Sequence, residues 1–285
     1  HGSEMTKPDF VIIGAMKSGT TTLYAQLAAQ DGVFMSPLKE PNYFSDDSVF
    51  ARGTGWYSDL FKDAAPGDLK GEASTHYAKL PTYPETIDRM AAALGTPRLI
   101  YVIRDPVTRA LSHYVHGFSE REIHCDLPTA VTEHPELIEY GRYGMQIAPF
   151  IERFGKENIL LTSLERMKAD PQGEFDRIGK HIGAKAPLVW QTDMSAHNAS
   201  DGRWRRLPFE YFLVENPVLR ALRRGLVPKS VRNWVRNSRG IEGHPELPEH
   251  QRHHMEQIFL EDRQMLAGLF PGHPALRDAY PFAPA

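Results

Sequence analysis

The sequence has a single cysteine, Cys125, among its 285 residues. One cysteine excludes an internal disulfide and a zinc site built from cysteines. No apolar run reaches the ~20 residues that a membrane-spanning helix needs, and the first residues lack a signal-peptide pattern. The net charge is only −3, so no overall basic field argues for nucleic acid as a partner. These absences predict an ordinary cytoplasmic protein.

The composition, with 41% hydrophobic and 24% charged residues, is typical of globular proteins. A chain of this length can bury one α/β core or two small ones. No shift in composition is sharp enough to separate a second domain, so we expect a single domain over residues 5–285. The opening His1-Gly2-Ser3 is typical of a tag remnant, and residues 1–4 are set apart for that reason.

Strand-like and helix-like segments alternate along the chain. Apolar and often β-branched runs predict strands at 9–14, 33–35, 69–72, 98–103 and 158–165. Apolar spacing and helix-start signals predict helices at 20–30, 83–94, 105–114, 171–182 and 249–266. This alternation requires crossover connections, so it predicts an α/β fold with a central parallel sheet flanked by helices. Ligands of such sheets bind at the carboxyl ends of the strands.

The last third of the chain has a different character. Residues 203–239 contain ten Arg or Lys and two Glu, with aromatic residues between them. The pattern predicts amphipathic helices over 203–240 with arginines extending to solvent, and makes the segment a candidate lid. Contact with an anionic membrane surface or with nucleic acid is the alternative. The Pro- and Ala-rich tail after Pro271 is predicted to run over the surface.

The segment GAMKSGTTTLY joins the first predicted strand to the first predicted helix. A glycine turn, a lysine and hydroxyl-bearing residues at a helix start form a phosphate cradle, because the N–H groups there attract anions. Nucleotide triphosphatases have Lys-Ser/Thr at the second glycine, whereas here Thr20 follows Gly19 and the lysine is Lys17. The element is P-loop-like, with a purely structural turn as the alternative. A lysine beside a positive helix end is unfavourable without an anion, which argues against that alternative.

A second turn, in IRDPVTRALSHY, follows the 98–103 strand. Nucleotide hydrolases that need a metal often place an aspartate for Mg²⁺ at such a strand end, but this strand ends at Arg104. Asp105 precedes a proline and is interpreted as a helix cap. Arg104 and Ser112 form either a second phosphate pocket or a helix start in which Arg104 pairs with Asp105 or Glu72. Two anion sites without a metal carboxylate suggest a nucleotide phosphorylated at both ends.

Three stretches, PDFVIIGAMKSGTTTLYAQL, KEPNYFS and RLIYVIRDPVTRALSHY, together resemble the sulfotransferases that use 3′-phosphoadenosine 5′-phosphosulfate (PAPS). The spacing is most similar to the heparan-sulfate-type branch and its bacterial relatives. The resemblance implies that the 3′-phosphate is bound by Arg104 and Ser112. It implies that the 5′-phosphosulfate is bound by Lys17, Ser18, Gly19, Thr20, Thr21 and Thr22. It also implies PAPS as co-substrate, released as 3′,5′-adenosine diphosphate, with no metal required.

Sulfuryl transfer is physically akin to phosphoryl transfer, an in-line displacement in which charge builds on the leaving oxygen. Lys17 can reach the oxygen between phosphorus and sulfur and stabilise that charge, which makes it a catalytic candidate. The acceptor hydroxyl or amine must lose a proton to a base. The resemblance implies Glu40 of LKEPNYF as that base, although Lys39-Glu40 also fits a solvated ion pair.

The segment GEASTHYAKLP aligns with the part of the heparan-type enzymes that lines the acceptor cleft. The glycan enzymes have a lysine where this chain has Ala73, and often a histidine where it has Asn42. These departures argue against a highly sulfated glycan acceptor. Asn42, Ser74 and His76 are candidate acceptor contacts, and polar turn residues are the alternative for Ser74 and His76.

Near the start of the basic segment, HNASDGRWRRL resembles the family's glycine–arginine loop over the 3′-phosphate. Gly202 and Arg203 are therefore candidate nucleotide contacts, although Asp201 replaces the usual lysine. The sequence as a whole predicts a PAPS-dependent sulfotransferase acting on a hydroxyl or amine of a small-molecule, lipid or glycan acceptor. The alternatives are an ATP-dependent P-loop kinase of a small molecule and a non-catalytic nucleotide- or polyanion-binding module.

Overall fold

The computed structural model describes residues 5–192 and 245–285. Its centre is a five-stranded sheet in the order β2–β3–β1–β4–β5, in which every neighbouring pair is parallel. The strands are β1 Phe10–Gly14, β2 Val33–Met35, β3 Leu69–Ala73, β4 Arg98–Ile103 and β5 Ile159–Ser163. The α/β fold predicted from the alternating pattern is confirmed. Gly202, Arg203 and the predicted helical segment 203–240 lie outside the described residues.

Helices connect the strands and cover both faces of the sheet. In chain order they are α1 Thr20–Ala28, α2 Asp47–Phe50, α3 Thr54–Asp59, α4 Thr86–Leu94, α5 Pro106–Ser119, α6 Leu127–Glu133, α7 Glu136–Glu139, α8 Tyr143–Phe154, α9 Leu164–Ala169, α10 Pro171–Ile182, α11 Glu249–Leu269 and α12 Ala275–Asp278. Short 3-10 turns occur at Thr75–Ala78 and Lys156–Asn158. Within the described ranges, no helix combines the length and apolarity needed to cross a bilayer.

The central strand β1 is apolar throughout because both of its faces are covered. Side chains alternate between the faces of a strand. Phe10 and Ile12 pack into the core formed with α1 and α10, and Val11 and Ile13 pack into the core formed with α8 and α11. All four are fully buried.

The order of the strands determines where the candidate site lies. After β3 the chain crosses to the other side of β1, so β1 lies between β3 and β4. Ile12 pairs with Ala73 of β3 and with Ile100 of β4, which brings the carboxyl ends of three strands to one edge. Loops that leave neighbouring strands in opposite directions open a crevice at such a point.

The tail after Pro271 does not run over the surface, and that prediction is wrong. Residues 275–278 form α12, and Ala275, Ala279 and Tyr280 are buried in the same core as Tyr143 and Phe270. Alanines permit close approach of the backbone, and burial of an aromatic ring removes a large apolar area from water. The segment 127–154, for which no element was predicted, contains α6, α7 and α8.

Candidate functional site

The turn between β1 and α1 is shaped for an anion. Gly19 has φ 87°, and a Cβ at this position would lie 2.7 Å from Leu164 Cδ1, so a larger residue would be both strained and crowded. Asp105 and Asp170 accept hydrogen bonds from the first-turn N–H groups of α5 and α10. No such side chain caps α1 within the described part of the chain. The N-terminal N–H groups of α1 therefore remain available to a bound anion.

Arg104 joins the second turn to the first. Its Nη1 donates to the backbone oxygen of Lys17 at 3.0 Å. The Tyr143 hydroxyl holds the Arg104 backbone by donating to its oxygen at 2.6 Å and accepting from its N–H at 3.3 Å. Asp105 caps α5, as predicted, and among the described residues no carboxylate forms an ion pair with Arg104. The alternative in which Arg104 pairs with Asp105 or Glu72 is therefore wrong.

These turns open into a cleft of about 620 Å³. The predicted site residues that line it are Lys17, Gly19, Thr20, Thr21, Glu40, Asn42, His76, Arg104 and Ser112. Three of the other predicted residues lie outside the lining: Ser18 and Ser74 are fully buried, and Thr22 is exposed. Among the described residues, the Ser18 hydroxyl has no hydrogen-bond partner.

The cleft is strongly cationic. Among its described lining residues, the side-chain cations are Lys17, Lys39, Lys79, Arg104 and Lys168, and the carboxylate is that of Glu40. Burial lowers the pKa of Lys17, and the charges of Arg104 and Lys39 lower it further. A bound anion would relieve this repulsion, so the charge distribution favours a polyanionic ligand.

Glu40 is oriented by the chain that leaves β3. Its Oε2 accepts from the backbone N–H of Thr75 at 2.6 Å and lies 3.3 Å from Thr75 Oγ1. Its Oε1 lies 3.3 Å from Lys39 Nζ, and its own N–H donates to Ala73 O at 2.9 Å. The carboxylate is therefore held at the carboxyl edge of the sheet. A solvated ion pair with Lys39 would not need the contacts with Thr75 and Ala73.

Backbone conformation also marks the cleft. Four non-glycine residues of the described chain have positive φ, and three of them, Lys17, Glu40 and Asn42, line the cleft. Such conformations persist where surrounding structure enforces them, often at binding sites. Ser74 Oγ contributes here by accepting from the Asn42 N–H at 3.0 Å. Ser74 thus supports the loop from behind.

His76 is held in place by two neighbours. Its Nδ1 lies 2.8 Å from Asp46 Oδ1, and its ring stacks on Tyr83 at 4.6 Å. Burial lowers the pKa of His76 and the Lys79 charge lowers it further, whereas Asp46 opposes the shift. In the neutral ring, donation from Nδ1–H to Asp46 leaves Nε2 as a hydrogen-bond acceptor.

Several residues that line the cleft were not among the candidates predicted from the sequence. Thr75, Lys79, His116 and Lys168 line the cleft as well. Burial lowers the pKa of His116, and Lys17 adds to this effect. The lining positions depend on how separate loops meet, and no local pattern marks them. The described residues contain no group of three or more His, Cys, Asp or Glu suited to a metal ion.

A buried carboxyl lies in β3, next to the cleft. Glu72 is fully buried, and burial raises its pKa to about 8. The Tyr77 and Tyr57 hydroxyls lower this pKa, although neither has the distance and angle of a hydrogen bond to a Glu72 carboxyl oxygen. The Glu40 charge raises the pKa further. Glu72 is thus protonated in the folded protein at neutral pH.

We expect Glu72→Gln to stabilise the fold, by more as the pH rises from about 4.5 to about 8. In that window the unfolded carboxyl is ionised while the folded one holds a proton, so the free energy of unfolding of the wild type falls with rising pH. Each pKa unit corresponds to about 1.36 kcal/mol, which predicts a gain of roughly 3–5 kcal/mol by pH 8. Urea unfolding of both proteins across this range measures the difference.

The matched control is Glu174→Gln. Glu174 is also buried, but its carboxylate lies 2.6 Å from Arg177 Nη1 and accepts from the Thr162 hydroxyl at 2.6 Å. Its neutralisation leaves a cation without its partner and should lower stability. A stability difference between wild type and Glu72→Gln that stays constant with pH would contradict the raised pKa.

The family model described as "Sulfotransferase domain" matches residues 7–261. Heparan sulfate glucosamine 3-O-sulfotransferase 3B1 of Mus musculus is 32% identical over 193 residues, covering 62% of this chain and 46% of the relative. The membrane-associated sulfotransferase kil1 of Dictyostelium discoideum is 36% identical over 117 residues, covering 40% and 24%. The chain spans about half the length of the first of these relatives.

Solved structures show the same fold. A sulfotransferase from Alicyclobacillus acidocaldarius superposes with a TM-score of 0.68 at 20% identity, covering 95% of this chain and 99% of its own. The sulfotransferase domain from the curacin biosynthetic pathway superposes with a TM-score of 0.52 at 15% identity, covering 90% and 98%. At these identities the likeness concerns the fold.

Proposed function

The chain belongs to the sulfotransferase family, and on this premise we propose that it transfers a sulfuryl group from PAPS to an acceptor hydroxyl or amine. One observation carries the proposal. The Arg104 guanidinium, at the end of β4, contacts the backbone of Lys17 in the turn after β1. Two anion-binding turns thus meet in one cleft, as a nucleotide with phosphate groups at two positions requires.

The residues present fit such a nucleotide. The uncapped N-terminus of α1 can receive the 5′-phosphosulfate, together with Lys17 and the hydroxyls of Thr20 and Thr21. Arg104 and Ser112 can receive the 3′-phosphate. The buried Ser18 hydroxyl, in the same turn, has no hydrogen-bond partner within the described ranges, and an unmade hydrogen bond of this kind favours a ligand or water that supplies it.

The chemistry follows from where the charges lie. PAPS supplies the sulfuryl group and a phosphate leaving group. Lys17, held by the α1 turn, places positive charge where the leaving oxygen becomes more negative. Glu40, positioned by Thr75 across the cleft, is the proposed base that takes the proton from the acceptor. Asn42 and His76, which line the same cleft, are the proposed acceptor contacts.

The class of acceptor is a part of the proposal that the family alone does not specify. One relative named above acts, by its name, on heparan sulfate glucosamine, and Ala73 departs from the glycan enzymes. We keep small-molecule, lipid and glycan acceptors within the proposal. The cytoplasmic location expected from the sequence stays a prediction, and one relative is named as membrane-associated.

We expect 3′,5′-adenosine diphosphate to raise the unfolding midpoint of the wild type by several degrees, and Arg104→Ala to abolish most of this rise. A ligand at ~100 times its Kd stabilises by ~2.7 kcal/mol, and each kcal/mol shifts the midpoint by ~2–4 °C in chains of about this size. The Arg104 guanidinium is expected to pair with the 3′-phosphate, which ADP lacks. Thermal unfolding with 3′,5′-adenosine diphosphate, ADP, or ATP with Mg²⁺ measures the selectivity.

Arg98→Ala is the matched control. Arg98 begins the strand that precedes Arg104 but is exposed at the opposite end of the sheet, so the nucleotide shift should persist. A shift with ATP and Mg²⁺ in preference to 3′,5′-adenosine diphosphate would contradict the proposed donor and support the kinase alternative. A 3′,5′-adenosine diphosphate shift without any PAPS turnover would support the non-catalytic module.

A further inference from the structure

Lys79 lies three residues after His76, one of the proposed acceptor contacts. It follows the 3-10 turn Thr75–Ala78, whose first residue holds the Glu40 carboxylate. Lys79 lines the cleft but is only 7% exposed. Its ammonium group therefore lies in the cleft wall, where the charge of the proposed base, Glu40, acts on it.

The Lys79 ammonium has no charge partner among the described residues. No carboxylate oxygen there forms an ion pair with Nζ, which lies over the Tyr140 ring at 5.5 Å from the ring centroid. Burial lowers the pKa of Lys79 to about 8 and the Arg109 charge lowers it further, whereas the more distant charges of Glu40, Glu122 and Asp46 oppose this shift. A buried cation without a counter-ion is costly, so the arrangement favours a ligand that brings the missing negative charge.

The chain around Lys79 is held rigidly. The next residue, Leu80, exchanges two hydrogen bonds with the side chain of the fully buried Gln146, at 2.7 and 2.8 Å. The Lys79 carbonyl accepts from the N–H groups of Thr82 and Tyr83. The backbone cannot swing outward to hydrate the ammonium without breaking these bonds.

Each of the other cations of the cleft is paired, assigned to the proposed nucleotide, or exposed to solvent. Lys39 pairs with Glu40 at 3.3 Å, and the proposed nucleotide takes Lys17 and Arg104. Lys168 is exposed on α9, so Lys79 remains as the buried cation without an assigned partner.

We propose that Lys79 binds an anionic group of the acceptor, so that the acceptor carries one carboxylate, sulfate or phosphate near the hydroxyl or amine presented to Glu40. This inference rests on the proposed function and deepens it. A buried ammonium binds one anionic group, so the acceptor class is a hydroxy or amino compound that carries such a group.

The test uses the full chain saturated with 3′,5′-adenosine diphosphate at pH 7, where Lys79 is charged. Sodium sulfate, sodium phosphate or sodium acetate is then added at an ionic strength kept constant with sodium chloride. At ten times its Kd, the best of these anions should raise the unfolding midpoint of the wild type by about 3–5 °C. The ranking of the three anions distinguishes a carboxylate from a sulfate or phosphate group.

Lys79→Met should lose this anion shift and keep the nucleotide shift, which also reports that the variant is folded. Lys79→Arg should keep the anion shift because it retains the charge. Lys62→Met, an exposed lysine outside the cleft lining, is the control for general salt effects. If Lys79→Met does not fold, Lys79→Gln replaces it.

An equal anion shift in wild type and Lys79→Met, or no anion shift in the wild type, would overturn the inference. Loss of the nucleotide shift in the wild type would instead overturn the proposed function. The two failures are therefore separable in one set of unfolding curves.

Discussion

Glu40→Gln is expected to lower turnover by about 10²–10⁴-fold, the usual contribution of a positioned base. Glutamine keeps an oxygen that can accept from the Thr75 N–H, so the loop should retain its shape, but an amide cannot take a proton from the acceptor. Affinity for 3′,5′-adenosine diphosphate should be nearly unchanged, because the proposed mechanism assigns Glu40 to the acceptor and gives it no nucleotide contact. The measurements are release of 3′,5′-adenosine diphosphate from PAPS, with an acceptor that the wild type uses, and calorimetric nucleotide binding.

Asp47→Asn is the control for this carboxylate-to-amide change. Asp47 is exposed at the start of α2, pairs with Arg89 and lies outside the cleft lining, so its loss should leave turnover unchanged. Near-normal turnover in Glu40→Gln would remove Glu40 from the mechanism. His76, whose ring is oriented by Asp46, would then be the next candidate for the base.

Lys17→Met is expected to lower turnover by about 10²–10³-fold, as removal of a preorganised charge at a reacting oxygen does. PAPS affinity should fall by less, because the negative charge that Lys17 stabilises grows as the bond to the leaving oxygen breaks. The comparison of turnover number with the Kd for PAPS separates the two effects.

Lys62→Met, an exposed lysine outside the cleft, should show neither change. A Lys17→Met variant that loses PAPS affinity while its turnover number stays normal would show that Lys17 binds substrate and transition state equally. Its role would then be in holding the phosphosulfate, with no part in the chemical step.

Local sequence determined the sheet and the phosphate turn of this protein. The β-branched run of β1 and the apolar run of β4 predicted their positions to within a residue, because strands buried on both faces require continuous apolar sequence. Gly19 and Lys17 marked the turn for a similar reason, since a tight turn at a helix start depends on the residues within it. The helical endpoints were less well placed, and α5 continues to Ser119, beyond the predicted end at residue 114.

Tertiary structure alone decided how the site is assembled. Arg104 reaches Lys17 across 87 residues of sequence, and Thr75 orients Glu40 across 35. The burial of Glu72 and Lys79 has the same origin. The residues that bury them, and so shift their pKa values, come from distant segments of the chain. The tail packs into the core through Ala275, Ala279 and Tyr280, next to residues of α8 and α11. Periodicity within one segment reports which of its faces is apolar, but the partner of that face depends on the path of the whole chain.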